Sequence, residues 1–451
     1  MGIINWVKDQ NDRVSVKINK ISFSDLKSWH FDNDISKLQH ESGKFFSIDG
    51  LRVNTNYGNV KTWDQPIINQ PEIGYLGFIT KEFNGVLHFL LQAKIEPGNI
   101  NYVQLSPTLQ ATKSNYTQVH KGKSPAYLDY FVNAKPNQIL LDQLQSEQGA
   151  RFLRKRNRNI IIKIEEDIIL FENFVWCTLA QIKELMKEDN LVNMDTRTVI
   201  SGIPYGTYTG LQMDLFTLLD KNYTSNSFEA KVIKSMLSSE FAINSFDSII
   251  NFVTGHKSFF ELNIEKIPLS IITNWVINNY TIEHFEKKYF KIIAVEVSIG
   301  NREIKNWTQP MIEPAQEGIC AFVCKEINGV LHFAVQAKLE CGNFDIIEFA
   351  PTVQCLTGNY RNFKTSSIPF LDYVLKADEN KIIFDNLQSE EGGRFYREQN
   401  RNMIVFAGEE ISEILPDNYI WMTLNQLNAF IKFNNYLNIQ ARSLLAAVSF
   451  M

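Results

Sequence analysis

Residues 84–116 read NGVLHFLLQAKIEPGNINYVQLSPTLQATKSNY, and residues 328–360 read NGVLHFAVQAKLECGNFDIIEFAPTVQCLTGNY. Each residue of the second string lies 244 positions after its counterpart, so His88 recurs as His332, Lys94 as Lys338 and Tyr116 as Tyr360. The polar residues Gln92, Glu96, Asn99, Gln110 and Asn115 also return, as Gln336, Glu340, Asn343, Gln354 and Asn359. Selection for packing alone would keep the apolar period and let polar positions drift. Recurrence of both predicts a duplicated fold that carries a duplicated site.

Asn84-Gly85 and Asn328-Gly329 have the chemistry of tight hairpin turns, whose central residues need positive φ. The runs that follow, 86–95 and 330–339, read as buried strands, and the stretches before them, 73–81 and 319–325, as their partners. Trp63-x-Gln65-Pro66 precedes the first pair, and Trp307-x-Gln309-Pro310 the second. Downstream, LDQLQSEQGARFLRKRNRNIII from residue 141 is echoed by FDNLQSEEGGRFYREQNRNMIV from residue 384, now 243 positions apart. The spacing of Glu147 and Arg151, and of Glu390 and Arg394, predicts a helix over Gln145 to Arg158 and its twin, with Arg151 and Arg154 on one face. A strand and a short amphipathic helix close each copy. The expected architecture is α+β: a module over 1–200, a helical bridge over 201–269 and a second module over 270–451, each a mixed sheet with flanking helices.

The chain of 451 residues is 44% hydrophobic and 21% charged, which suits a globular protein with an ample core. A net charge of −5 without a basic tract argues against nucleic acid as partner. Its five cysteines are odd in number and scattered, as in a reducing compartment. No signal peptide and no membrane-spanning run are read, so a cytoplasmic location is expected. There is no GxGxxG, P-loop, GxSxG or HExxH. Neither a metal nor a cofactor is expected.

Each recurring residue has a plain reading beside a functional one. Arg151, Arg154, Arg394 and Arg397 suit the forked recognition of a diphosphate, or form surface ion pairs with neighbouring glutamates. Lys94 and Lys338, on buried strands, line a cavity or pair with Glu96 and Glu340. His88 and His332 are acid–base candidates or satisfied structural imidazoles. Tyr116 and Tyr360, after Asn115 and Asn359, are proton donors or loop caps. Trp63 and Trp307 stack on a ligand ring or anchor a turn.

The combination of QAKIEPGN, SPTLQAT and QSEQGARF with QAKLECGN, APTVQC and QSEEGGRFYREQNRN resembles the NDP-hexose 2,3-dehydratases, over roughly residues 20–450. That resemblance implies two tandem Nudix-like modules, a homodimer and the substrate dTDP-4-keto-6-deoxy-glucose. The implied reaction removes the C2 hydroxyl to give a 3,4-diketo-2,6-dideoxy sugar, which a 3-ketoreductase or aminotransferase then takes up. No metal-binding Nudix box is present. Chemistry alone assigns Lys94 or Lys338 to the oxyanion and Tyr116, Tyr360, His88 or His332 to proton transfer, with Glu147, Glu390 or Glu391 in reserve as base. Arg151, Arg154, Arg394, Arg397 and Tyr396 are expected around the diphosphate, with Trp63, Trp307, Gln92, Gln336, Asn115 and Asn359 completing the pocket. The two copies differ within the Gln-Ser-Glu block, so one pocket is expected to be degenerate. A silent duplicated sugar-nucleotide-binding protein is the alternative.

Overall fold

The computed structural model describes residues 2–32, 34–113, 124–204, 227–237, 239–300, 306–356 and 368–449. It is an α+β protein of two similar halves. The first half opens with α1 (Ile3–Asp12), β1 (Val16–Ile21), the short hairpin β2 (Trp29–Phe31) and β3 (Lys37–His40), β4 (Ser47–Thr55) and β5 (Thr62–Asn69). Its main sheet follows as β6 (Gly74–Phe83), β7 (Val86–Ile95), β8 (Val103–Ser106), β9 (Leu109–Ala111), α2 (Leu128–Val132), β10 (Ile139–Ser146), β11 (Arg156–Ile164) and β12 (Phe174–Thr178). Helices α3 (Leu179–Leu185) and α4 (Met194–Ser201) close it.

After α5 (Phe228–Leu237) the order repeats. It runs through α6 (Phe246–Phe259), β13 (Leu262–Ile267), β14 (Trp275–Ile277), β15 (Thr281–His284), β16 (Phe290–Ile299) and β17 (Asn306–Pro314). The second main sheet comprises β18 (Gly318–Ile327), β19 (Val330–Lys338), β20 (Glu348–Ala350), β21 (Val353–Cys355), α7 (Leu371–Leu375), β22 (Ile382–Ser389), β23 (Gln399–Ala407) and β24 (Tyr419–Thr423), followed by α8 (Leu424–Ile431) and α9 (Ile439–Ala447). Helix α6 and strand β13 thus occupy the places of α1 and β1.

Local chemistry explains the landmarks. Asn84 and Gly85 have φ of 51° and 79°, and Asn328 and Gly329 of 53° and 75°, which is the mirror-image turn that matches strand twist. Thr178 and Thr423 cap α3 and α8 in reciprocal boxes with Gln181 and Gln426, satisfying N–H groups that the helix leaves unpaired. Each main sheet is mixed: β11 runs parallel to β6, and β23 to β18, while the other pairs are antiparallel.

The halves exchange strands. β1 of the first pairs along β16 of the second, and β13 pairs along β4 of the first. The apolar core under β6 and β7 accordingly contains Ile293, Val295, Val297 and Met311 from the second half. A third core mixes Phe152, Ile48 and Ile68 with Phe395, Ile292 and Ile312. Two of the cores are thus shared between the halves.

One expectation fails. The Gln145–Arg158 block is strand, loop, strand: β10 ends at Ser146, β11 begins at Arg156, and the twin block behaves alike. Arg154 and Arg397, at φ of 48° and 50°, sit at the sharpest bend of each loop and point to solvent, so no helical face joins them to Arg151 and Arg394. The i, i+4 spacing was real, but cross-strand pairing and the anchors described next outweigh a weak local helix preference.

Candidate active site

The two Gln-Ser-Glu loops meet at the centre of the molecule, each held to its own half first. Ile68 N–H donates to Arg151 O (2.9 Å) and Leu153 N–H to Ile68 O (2.8 Å), with Ile312, Arg394 and Tyr396 repeating the arrangement. The Trp-x-Gln motifs brace the same loops. Trp63 donates its indole N–H to Gln65, which donates to Ala150 O; Trp307 donates to Gln309, which donates to Gly393 O. The tryptophans therefore act here as anchors.

Each loop then docks on the opposite half. Gly98 N–H donates to Gly392 O (2.7 Å) and Arg397 N–H to Gly98 O (2.8 Å). Gly342 N–H donates to Gly149 O (2.7 Å) and Arg154 N–H to Gly342 O (2.7 Å). Only glycine allows this approach: a Cβ on Gly98 would lie 1.6 Å from Phe395 O. Two pockets result, each built from both halves.

In the first pocket, Lys94 at the end of β7 lies 3.5 Å from Glu96 and donates to Gln110 O at 3.3 Å. Glu96 receives a hydrogen bond from Gln110 (2.9 Å), and Gln110 one from Asn193, the N-cap of α4 (3.1 Å). The opposite half contributes Glu391 and Arg394. The Arg394 guanidinium lies 4.2 Å from the Phe46 ring, with Nε donating to Gln70 (3.2 Å) and Nη1 to Gly393 O (2.9 Å), leaving Nη2 without a partner among the described residues. Removal from water pushes the Glu391 carboxyl up to about 7; Glu96 adds to this and Arg394 opposes it. Lys155, buried and hydrogen-bonded to Glu72 O, is brought down to about 8 by burial, against the pull of Glu147.

The second pocket repeats the frame with different chemistry. Lys338 and Glu340 replace Lys94 and Glu96, and Gln354 links Glu340 to Asn438, the N-cap of α9. Arg151 lies 4.2 Å from the Phe290 ring as Arg394 does on Phe46. Where the first pocket has Glu391, however, the second has Gln148, and where the first has Lys155 it has Glu398. Gln148 is 2% and Arg151 5% exposed, whereas Glu391 and Arg394 are less completely buried. Gln148 donates to Glu390, whose carboxyl burial pushes up to about 8 with Glu398 adding to the shift. In the second pocket Gln148 and Arg151 are thus more deeply buried than their twins.

Other candidates fall elsewhere. His88 and His332 lie at the hairpin ends of β7 and β19, six residues along the strand from Lys94 and Lys338, roughly 20 Å away at the rise of an extended chain. His332 is fully buried; its Nδ1 pairs with Val330 O (2.8 Å) and its Nε2 accepts from Ile243 N–H (3.0 Å), and burial lowers its basicity. That is a satisfied structural imidazole, and acid–base work by either histidine is not supported. The Gln336 amide is consumed by Pro351 O and Thr352 O, while Gln92 has a half-buried side chain on the Lys94 face of β7. Tyr396 packs beneath Lys20 and Arg397. Glu147 lies in the first half's loop on the side of Lys155, bonded by Asn157, and burial raises its carboxyl. Asn115, Tyr116, Asn359 and Tyr360 lie outside the described residues. Sequence reading passed over Lys155, Phe46, Gln70 and Asp195, none of which belongs to the recurring polar set.

Fold and site together define a two-half α+β protein whose first pocket joins lysine, arginine and carboxyl groups of shifted acidity, a set able to bind an anionic ligand and move protons on it. The sequence model of the NDP-hexose 2,3-dehydratase family matches residues 1–203 and 246–448, and the chain belongs to that family. It is 44% identical over 445 residues to a dTDP-4-dehydro-6-deoxy-alpha-D-glucopyranose 2,3-dehydratase of Saccharopolyspora spinosa, covering 98% of this chain and 90% of that protein. Proteins of the same description from Amycolatopsis orientalis and Streptomyces violaceoruber are 39% and 40% identical, over 98% and 99% of this chain and 89% and 96% of theirs. The two matched segments coincide with the two repeats of element order. Among the described residues no helix is long and apolar enough to cross a membrane.

Proposed function

We propose that this chain is a hydro-lyase that removes the C2 hydroxyl of dTDP-4-keto-6-deoxy-glucose, giving the 3,4-diketo-2,6-dideoxy sugar, and that the first pocket does the work. Family membership over nearly the whole chain supports the reaction. The observation that supports the pocket is the exchange of Glu391 for Gln148: an amide cannot serve as a general base.

The chemistry closes without an added redox group. The C3 proton is acidified by the C4 ketone; Glu391, held near neutrality, removes it as general base. Lys94 faces the enolate oxygen as it gains charge. Loss of the C2 hydroxyl leaves an enol, which tautomerises to the 3-ketone. Arg394, pre-oriented on Phe46 and by Gln70 with one terminal nitrogen free, grips the diphosphate. Tyr116 and Asn115, which follow Gln110 in the sequence, remain candidates for the sugar. In this reading Lys338, Arg151 and Glu390 belong to a pocket that has lost the reaction, and Tyr360 and Asn359 are not needed for it.

The likeness of the halves supports a tandem duplication, with Nudix-like modules as the fold that the family resemblance implies; the recurrence of α1 and β1 as α6 and β13 supports a second module that begins near 246, ahead of the expected 270. A homodimer, a cytoplasmic site of action and a 3-ketoreductase or aminotransferase acting next are the companion proposals. The test is incubation with dTDP-4-keto-6-deoxy-glucose, a 3-ketoreductase and NADPH. A trapped 2,6-dideoxy sugar is expected; unchanged substrate with dTDP still bound would leave a binding protein in place of an enzyme.

A further inference from the structure

Asp195 stands in the first turn of α4, two residues after the N-cap Asn193, and is 3% exposed. The Asn193–Gln110–Glu96 chain of hydrogen bonds fixes that helix end against the first pocket. The charged groups facing Asp195 are Glu147 and Glu391 from the two Gln-Ser-Glu loops, Glu96 and Lys94 from the β7 end, and Arg197 from its own helix. Its carboxyl has no hydrogen-bond or ion-pair partner among the described residues. Arg197 is spent otherwise: it donates to Ser443 Oγ, Val192 O, Gln388 Oε1 and Ser389 O. A buried carboxyl without a partner is costly unless it is protonated or meets a ligand.

The same place on α9 is held by Gln440, beside the same frame of Asn438, Gln354 and Glu340. The two pockets thus differ at three ionisable positions: Lys155 against Glu398, and two at which the first has a carboxyl where the second has the amide of matching length or one methylene longer. One such exchange is explained by a lost base. The other calls for a second proton-handling group, and elimination of hydroxide needs one.

We propose that Asp195 is the general acid of the reaction, a catalytic residue that protonates the departing C2 hydroxyl. The proposal rests on the dehydratase reading above. Glu391 takes the C3 proton as the electron pair forms the enolate. The C2–O bond then breaks with its pair to oxygen, which receives the Asp195 proton and leaves as water. The enol hydroxyl returns its proton to the Asp195 carboxylate while Glu391 delivers a proton to C2, so both groups end as they began. Burial, then repulsion by Glu147, Glu391 and Glu96, holds the Asp195 carboxyl well above the usual range, which favours its protonated form. A general acid and a general base in one pocket need two carboxyls in opposite protonation states.

The experiment compares the natural substrate with its 2-fluoro analogue, because fluoride departs without a proton. Asp195→Asn and Asp195→Gln, the latter matching Gln440, are assayed for sugar product and for fluoride release, with dTDP binding checked alongside. Turnover of the hydroxyl substrate should fall roughly 10²- to 10⁴-fold, while fluoride release stays within a few-fold of the unaltered enzyme. Equal losses for both leaving groups, or full activity on the natural substrate, would overturn the assignment. An unaltered enzyme that turns over neither compound would instead overturn the dehydratase reading on which it rests.

Discussion

Gly98 and Gly342 are twins that clamp different pockets, and replacing each by alanine separates structure from catalysis. In Gly98→Ala the new Cβ would meet Phe395 O at 1.6 Å and Gly392 O at 2.8 Å. Ordinary contact needs more than 3 Å, so the β7–β8 loop and the Glu391 loop must part by over ~1 Å, since neither neighbour is a flexible side-chain end. The shift weakens two hydrogen bonds, Gly98 N–H to Gly392 O and Arg397 N–H to Gly98 O, each worth about 1 kcal/mol. Overpacking adds about 1–3 kcal/mol, for a total loss near 3–5 kcal/mol. Gly342→Ala meets Phe152 O at 1.9 Å and strains the matching bonds, so its stability cost is of the same order. The catalytic consequences differ. Moving Glu391 and Arg394 away from Lys94 by about 1 Å should cost roughly 10²-fold in kcat, whereas on the proposed choice of pocket the second has no reaction to lose. Urea denaturation gives the stabilities, and turnover per folded molecule gives the rest. If Gly342→Ala lowers kcat as far as Gly98→Ala, the choice of pocket is refuted. A Gly98→Ala protein as stable as the original would refute the clamp itself.

Glu391→Gln, which copies Gln148, should lower kcat roughly 10²- to 10⁴-fold and remove the limb near pH 7 from the rate profile; dTDP binding, read by calorimetry, should persist. Stability should fall as pH rises from about 4.5 to 8. Glu391 and Glu348, pushed up to about 7, and Glu390, to about 8, all by burial, bind protons in the folded state that the unfolded chain has already released from carboxyls of ordinary acidity near 4.5. The native state is the better proton binder in that window, so a ligand-free melting temperature that rises instead would contradict the buried cluster. His332→Asn should cost about 1–3 kcal/mol by leaving Ile243 N–H or Val330 O unpaired, with kcat per folded molecule unchanged; a selective loss of kcat would restore the histidine to the mechanism.

The repeat, the hairpins and the paired strands were legible in the sequence because they are set by local rules: Asn-Gly turns, apolar alternation and capping residues act within a few positions. The recurrence of Lys94, Glu96 and Gln110 with their twins also marked the right strands. The loops over 147–155 and 390–398 were misread as helices because their conformation is imposed by contacts with Ile68 and Ile312, some eighty residues upstream, and with Gly342 and Gly98 of the other half.

Identity was written in the sequence, since the motifs carry it wherever they fold. What only the tertiary structure decided is the composition of the site. Strand exchange and the glycine clamps bring Glu391 and Arg394 to Lys94 across a separation of about three hundred residues, a pairing that no periodicity encodes. Symmetry of sequence pointed to conserved polar twins, yet the pockets part company at Gln148 and Glu391, Lys155 and Glu398, and Gln440 and Asp195, positions whose meaning appears only when burial and neighbours fix which carboxyl keeps its proton.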